Sequence, residues 1–488
     1  MTQIHNSAVS RRSMLGALAL TGSATLLAPL LAACGSSSSA GGSEGAKTGP
    51  GPGGYKLDLG GYQGPTPTSK EITIRVLRDD FPQPVNEWFT KAYAAFRAAY
   101  PNITISEELV PFGALQQKVQ VYIQSGNTPD IMMGRTDLTT FYGAGKLAVD
   151  LEPYLTKDYL GVVRPSVLAG CSYSGGLYVM PWEDGIPMIV YNADLFRKAG
   201  VALPPSPTPD AVLDGWTIED FLDTLGELQK GLAATGDDTL FALEASTLGN
   251  GGPGSNYCGY EGHYIRMMGD PNAGKNTDAY KTWAAVSPDG FQASGYLDSD
   301  GAIQGMQNYQ SLFTKGITPK GAIPTQFAAG RAAVGWEAMS LVNRYTNGGP
   351  NKLDFDWGVT VLPRGKTFYG CNQAEGPIVS STSKHPAEAI ALLSYLCNTA
   401  NRLAYHTVRG SVPAREDILD QMPIYQKANQ KLGIAAGRHY VGAPKTPGWA
   451  DYFTAADSTI KDIALGADVT ATLHQSAKSI DTLLSKYR

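Results

Sequence analysis

The chain has 488 residues, a net charge of -5 and 43% hydrophobic residues. That composition supplies enough apolar side chains for more than one packed core and shows no basic face for nucleic acid. Beyond the N-terminal stretch, no run approaches the roughly 18 apolar residues a membrane span needs.

Residues 1–33 carry Arg11 and Arg12, no acidic residue, and an apolar stretch from Met14 to Ala33. A basic start, an apolar middle and a small-residue cut form an export signal. Leu31-Ala-Ala-Cys34 closes it as a lipobox, so Cys34 is expected to be lipidated and to anchor the protein on the outer face of a bacterial cell membrane. An uncleaved anchor is the alternative, but Gly16, Gly22 and Pro29 interrupt its apolar run. Ser10-Arg-Arg-Ser-Met-Leu15 resembles a twin-arginine signal, with Met14 where Phe is usual; the general secretory route is the alternative. Residues 34–69 are rich in Gly, Ser and Pro. They read as a disordered tether with a reach of roughly 30 Å. Cys171, Cys258, Cys371 and Cys397 then remain, with no CxxC spacing. Outside the cytosol they can pair or stay as buried thiols, and both arrangements remain open.

The body opens with Glu71-Ile-Thr-Ile-Arg-Val-Leu77, whose alternation predicts a strand. Trp88, Phe89, Ala92, Tyr93 and Phe96 fall at helical spacing before Pro101. A short strand at Ile103–Ser106, a helix over Leu115–Ile123 and a buried strand over Pro129–Met133 follow. This alternation continues to Pro181 and predicts an α/β fold with a largely parallel sheet. Ligands of such sheets bind beyond the carboxyl ends of the strands, which points to Asp79, Asp80 and the stretch 134–137.

An ordered series of segments then narrows the reading. It comprises Phe96-Arg-Ala-Ala-Tyr-Pro-Asn-Ile103, Gln124-Ser-Gly-Asn-Thr-Pro-Asp-Ile131, Tyr142-Gly-Ala-Gly-Lys-Leu147 with Leu151-Glu-Pro-Tyr154, and Gly175-Gly-Leu-Tyr-Val-Met-Pro181. It continues with Tyr191-Asn-Ala-Asp-Leu-Phe-Arg-Lys-Ala-Gly200, Trp216-Thr-Ile-Glu-Asp-Phe221, Phe327-Ala-Ala-Gly-Arg-Ala-Ala333 and Val361-Leu-Pro-Arg-Gly365. In this order they resemble the extracellular solute-binding proteins of carbohydrate ABC importers, the group that includes maltose-binding protein. The resemblance covers essentially all of Lys70–Arg488. It implies a two-lobed periplasmic-binding-protein-like fold with a hinge and an interlobe ligand cleft. Lobe 1 would comprise 70–183 plus 376–408, and lobe 2 would comprise 184–375 plus 409–488. It further implies a monomer without cofactor or catalytic residues that delivers a carbohydrate to ABC permease subunits.

A sugar presents hydroxyls at its edge and C–H patches on its faces, so its cleft calls for acids and aromatic rings together. The resemblance implies three crossings of the chain between the lobes, near Trp182–Pro187, Gly376–Val379 and Arg409–Pro413. Asp80, Arg135 and Asp137 are the lobe 1 candidates, the last two matching polar contacts of the relatives, and Trp182 and Glu183 stand at the first crossing. Lobe 2 offers Trp336 and Glu337, with Glu244 and the pair Trp449 and Tyr452 matching an acid and an aromatic platform of the relatives, and Gln373 and Glu375 precede the second crossing. Arg415 could reach the cleft from the third. Any one acid could instead be a solvated loop residue or a helix cap. Trp88, Trp283 and Trp357 sit in regular patterns and read as core.

Other chemistries fit poorly. Gly269-Asp-Pro-Asn-Ala-Gly-Lys-Asn276 puts Asn where a phosphate loop needs Ser or Thr. Asp298-Ser-Asp-Gly301 lacks the remaining calcium ligands, and no histidines fall at zinc spacing. A polyamine, phosphodiester or peptide binder is the nearer alternative, and a secreted glycoside hydrolase the more distant one.

Overall fold

The computed structural model describes residues 51–244, 261–320, 327–371 and 374–488. Two four-stranded sheets organise them. In the first, Ile72–Asp79 lies parallel to both Ile103–Val110 and Ile131–Arg135, and Glu375–Val379 runs antiparallel along the far side of Ile131–Arg135. The helices Gln83–Ala99 and Phe112–Ser125 make the crossovers that parallel strands require. Pro82 and Pro84 fix the start of the first helix, where a missing N–H costs nothing. Val85, Trp88, Phe89, Ala92, Tyr93, Phe96 and Ala99 form its buried stripe. The edge strand Ile103–Val110 runs further than its apolar pattern predicts, because its outer half needs no buried face.

In the second sheet Pro187–Asn192 lies between Trp357–Thr360 and Ala332–Ala338, antiparallel to both, and Phe241–Leu243 pairs in parallel with Ala332–Ala338. The chain moves between the sheets through short extended segments. Glu183–Asp184 precedes entry into the second sheet and pairs with Val412–Pro413. The buried Arg164–Asp184 ion pair, at 2.6 Å, braces this junction. After Glu375–Val379 the helices Pro386–Leu396 and Thr399–Arg409 pack on Gln83–Ala99. The C-terminal helices Trp449–Leu465 and Val469–Leu484 pack on each other and on Asp300–Thr314.

One expectation changes here. Residues 51–69, assigned to the tether by composition, are bound to the folded body. Leu59 and Tyr62 are buried, Tyr62 Oη donates to the Ala387 carbonyl at 3.1 Å, and Asn398 Nδ2 donates to the Asp58 carbonyl at 2.9 Å. Two apolar anchors suffice to hold a Gly- and Pro-rich strap when the surface offers grooves for them. A chain cut to begin at Lys70 should therefore lose about 3 kcal/mol against one beginning at Gly51. Urea unfolding measures this, and equal midpoints would show the strap to be energetically idle.

Cys171, Cys371 and Cys397 are free and buried, and Cys258 lies outside the described residues. Burial pushes the Cys171 and Cys397 thiols up, which keeps them protonated and inert.

Candidate functional site

Four charged side chains from four separate segments converge where the sheets meet. Asp79 ends the strand Ile72–Asp79, Glu183 lies in the junction and Glu375 opens the strand Glu375–Val379. Arg409 ends the helix Thr399–Arg409, just before Gly410 caps it at φ +75°. Arg409 Nη2 stands 3.7 Å from Glu375 Oε2, and its guanidinium lies over the Phe81 ring. Asp79 is only 1% exposed, and among the described residues neither of its carboxylate oxygens has a hydrogen-bond partner outside its own residue. Glu183 Oε2 and Glu375 Oε2 likewise have no hydrogen-bond partner among the described residues.

Burial pushes the Asp79 carboxyl up to about 6, with Arg409 pulling it down and Glu183 pushing it up. Glu375 is pushed up to about 8, first by burial and then by Glu183 and Asp79. Burial alone would lower the Arg409 value, but Glu183, Tyr405 and Glu375 outweigh it and hold the guanidinium firmly charged. Three carboxylates around one cation leave acceptors in excess. They do not converge on a metal-binding point: among the described residues no group of His, Cys, Asp and Glu could hold an ion.

The second sheet contributes a matching pair of acids. Glu337 lies on Ala332–Ala338, and Glu244 follows the neighbouring strand Phe241–Leu243. Burial and then Glu244 push Glu337 up to about 8, while Tyr345, donating at 3.4 Å, and Arg344 pull it down. Arg344 is itself lowered by burial and by Arg409, so the two acid groups lie within one electrostatic field. Trp336, half-buried beside Glu337, meets His263 edge-on at 4.9 Å.

A third group joins the residues after the strand Ile131–Arg135 to the start of the helix Trp449–Leu465. Arg135 grips Asp137 with two hydrogen bonds, at 3.0 and 3.1 Å. Trp449 Nε1 donates to Asp137 Oδ2 at 2.9 Å. Tyr452 stacks on Trp449 and anchors it by donating to the Ala285 carbonyl. A pocket of about 160 Å³ opens beside this bridge, lined by Gln116, Gln120, Arg135, Asp137, Trp449 and Phe453.

Glu183, Glu244, Glu337, Glu375, Arg135, Asp137, Trp336 and Trp449 thus gather around the junction between the lobes. Asp80 does not. It is exposed and accepts from Asn86 Nδ2, and the buried acid is its neighbour Asp79, because the strand is covered on both faces from Val76 onward. Trp182 is also displaced from the expected role. It is core, packed among Trp88, Phe89 and Tyr405 with Arg402 3.9 Å from its ring centre. Tyr452 supports Trp449 from inside the fold, and Arg415 is held by Asp417 and the Cys397 carbonyl. Gln373 and Cys34 lie outside the described residues. Arg409, Arg344 and Tyr345 were not anticipated. A basic residue in a last helical turn before Gly signals a helix end and gives no hint of a cleft.

The sequence model for "bacterial extracellular solute-binding protein" matches residues 81–402. A Brucella abortus protein described only as a binding protein is 24% identical over 433 residues, covering 85% of this chain and 93% of its own. The maltodextrin-binding protein of Bacillus subtilis is 23% identical over 381 residues, covering 74% and 79%. Among solved structures, an ABC substrate-binding protein of Listeria monocytogenes in complex with cycloalternan superposes with a TM-score of 0.65 at 17% identity, covering 85% of this chain and 99% of that one. These likenesses agree with a two-lobed solute-binding fold.

Proposed function

The chain belongs to the bacterial extracellular solute-binding proteins, and from that premise we propose that it captures a sugar or oligosaccharide between its lobes and delivers it to the permease of an ABC importer. The observation that carries this is the set of buried acceptors without donors on Asp79, Glu183 and Glu375. Buried polar atoms are ordinarily satisfied. A polyol brings many hydroxyl donors to one place, and the half-buried Trp336 offers a ring for its C–H face. Maltodextrin and cycloalternan, bound by the relatives, are ligands of this chemistry.

The lobes are taken as 70–183 plus 376–408 and 184–375 plus 409–488, with the ligand favouring closure because only the closed form touches it from both sides. Family membership makes the protein an exported one, and no helix among the described residues is long and apolar enough to cross a membrane. Lipidation of Cys34 would then hold it at the membrane as a monomer. The site binds without turnover in this reading, and no catalytic role is assigned to its carboxylates.

The test is a thermal-shift screen of the chain from residue 34 onward, carrying Cys34→Ser, against linear and cyclic oligosaccharides. A ligand at 100 times its dissociation constant adds about 2.7 kcal/mol of stability. The shift should vanish in Trp336→Ala. The excess of carboxylates over Arg409 favours one second reading, a cationic solute such as a polyamine. A shift with spermidine and none with any sugar would decide for it.

Proton linkage gives an independent check. Ligand hydroxyls donate to the ionised carboxylates, so binding lowers the raised values of Asp79 and Glu375. Binding should therefore release protons near pH 7 and tighten as pH rises from 6 to 8. Calorimetry in buffers of different ionisation enthalpy measures the release, and proton uptake would contradict the site.

A further inference from the structure

Trp336 leaves the strand Ala332–Ala338 where burial ends: residues 332–335 are buried, and Trp336 and Glu337 are half-buried. A half-buried indole keeps one rotamer only if its neighbours hold it there. Among the described residues the ring that meets it most closely is His263, edge-on, with centroids 4.9 Å apart and planes at 73°. We propose that His263 is a positioning residue, which fixes the plane of the Trp336 indole on which a sugar ring would lie. That purpose rests on the carbohydrate reading above; the geometry does not.

Edge-to-face contact suits the charge distribution of aromatic rings, whose edges are positive and faces negative. It orients Trp336 only if the imidazole is itself fixed. His263 is 1% exposed, and its Nε2 stands 2.8 Å from the Pro363 carbonyl. A carbonyl only accepts, so Nε2 carries the proton and donates it. Turning the imidazole would break that bond, so the bond sets the angle at which the ring meets the indole. The helix Glu261–Arg266 that carries His263 is held in turn by Arg266, which donates to the Trp283 carbonyl at 2.6 Å, to Tyr369 Oη at 2.9 Å and to the Gly442 carbonyl at 3.0 Å. The Tyr369 ring packs 5.7 Å from His263. Phenylalanine would supply the ring without the donor, and glutamine the donor without the ring; histidine supplies both. Burial pushes the imidazole down to about 4, against hydrogen bonding at the Pro363 and Tyr369 backbones, so around neutral pH it stays an uncharged aromatic partner. Pro363 follows the strand Trp357–Thr360, so two contacts carry the placement of the second sheet through His263 to the indole.

Near-ultraviolet circular dichroism of the chain from residue 34 onward, carrying Cys34→Ser, tests this without ligand. Subtracting the spectrum of Trp336→Phe isolates the signal of that one indole. The isolated signal is expected to lose most of its fine structure in His263→Phe and in His263→Gln, each measured with and without Trp336→Phe. A signal unchanged in either variant would overturn the proposal whatever the melting temperature, because a merely structural histidine lowers stability and leaves the indole where it was. Calorimetric titration with maltotetraose and with cycloalternan supplies the second arm, in which both variants should bind about tenfold more weakly. Affinity held in a variant that has lost the signal would also overturn the proposal. If neither sugar binds the unaltered protein, that counts against the carbohydrate reading, and the spectra still judge His263 by themselves.

Discussion

Replacing Arg409 by methionine is expected to destabilise the protein by about 3 kcal/mol at pH 8 and by much less at pH 5. Methionine keeps the apolar stem against Phe81 and removes a cation that offsets both Asp79 and Glu183 at the junction. At pH 8 three buried carboxylates would then face one another, and protonating them costs free energy that the unfolded chain does not incur. At pH 5 Glu375, raised to about 8, and Asp79, raised to about 6, are already mostly protonated in the folded state. Arg409 then faces much less negative charge. The same values fix the direction for the unaltered protein. Both carboxyls hold protons in the fold that they release when unfolded, so stability falls as pH rises from about 4 towards 8. Urea unfolding of both forms at the two pH values measures the difference. An equal loss at pH 5 and pH 8 would mean that Arg409 acts through packing alone.

The regular elements were legible because their apolar residues recur at the right period. Trp88, Phe89, Ala92, Tyr93 and Phe96 face the core as their spacing predicts, and Glu244 and Glu337 come together as residues at the ends of two neighbouring strands. What periodicity resolves less well is which member of an adjacent pair turns inward. Asp79 and Asp80 are interchangeable in a list of residues after a strand, and only burial on both faces of that strand separates them. Trp182 misleads for a related reason. It follows a Pro as a cleft aromatic would, but Arg402, more than two hundred residues later, closes over its ring. Arg409 carries no local sign of its role, since its three acid neighbours come from distant parts of the chain. The strap escaped notice because composition averages over residues, and two anchors decide whether such a segment is bound.

Trp449→Ala is expected to cost about 4 kcal/mol, the scale for removing a buried tryptophan. The loss combines two effects that further variants separate. Trp449→Phe keeps part of the stack on Tyr452 and deletes the N–H that reaches Asp137, together with part of the ring volume. Asp137→Ala deletes the acceptor and also the two hydrogen bonds it takes from Arg135. If the Trp449–Asp137 bond acts as a latch between the lobes, the two substitutions will be strongly non-additive, with a coupling of about 1–2 kcal/mol. A purely structural tryptophan would give additive effects. The latch also makes a prediction about shape. Asp137 follows the first-sheet strand Ile131–Arg135, whereas Trp449 begins a helix packed on Asp300–Thr314 and Val469–Leu484. Breaking their bond should therefore shift the ligand-free protein towards an open arrangement, with a larger radius of gyration in X-ray scattering and a weaker apparent sugar affinity. If Trp449→Phe leaves the ligand-free radius unchanged, the bond follows closure and does not govern it.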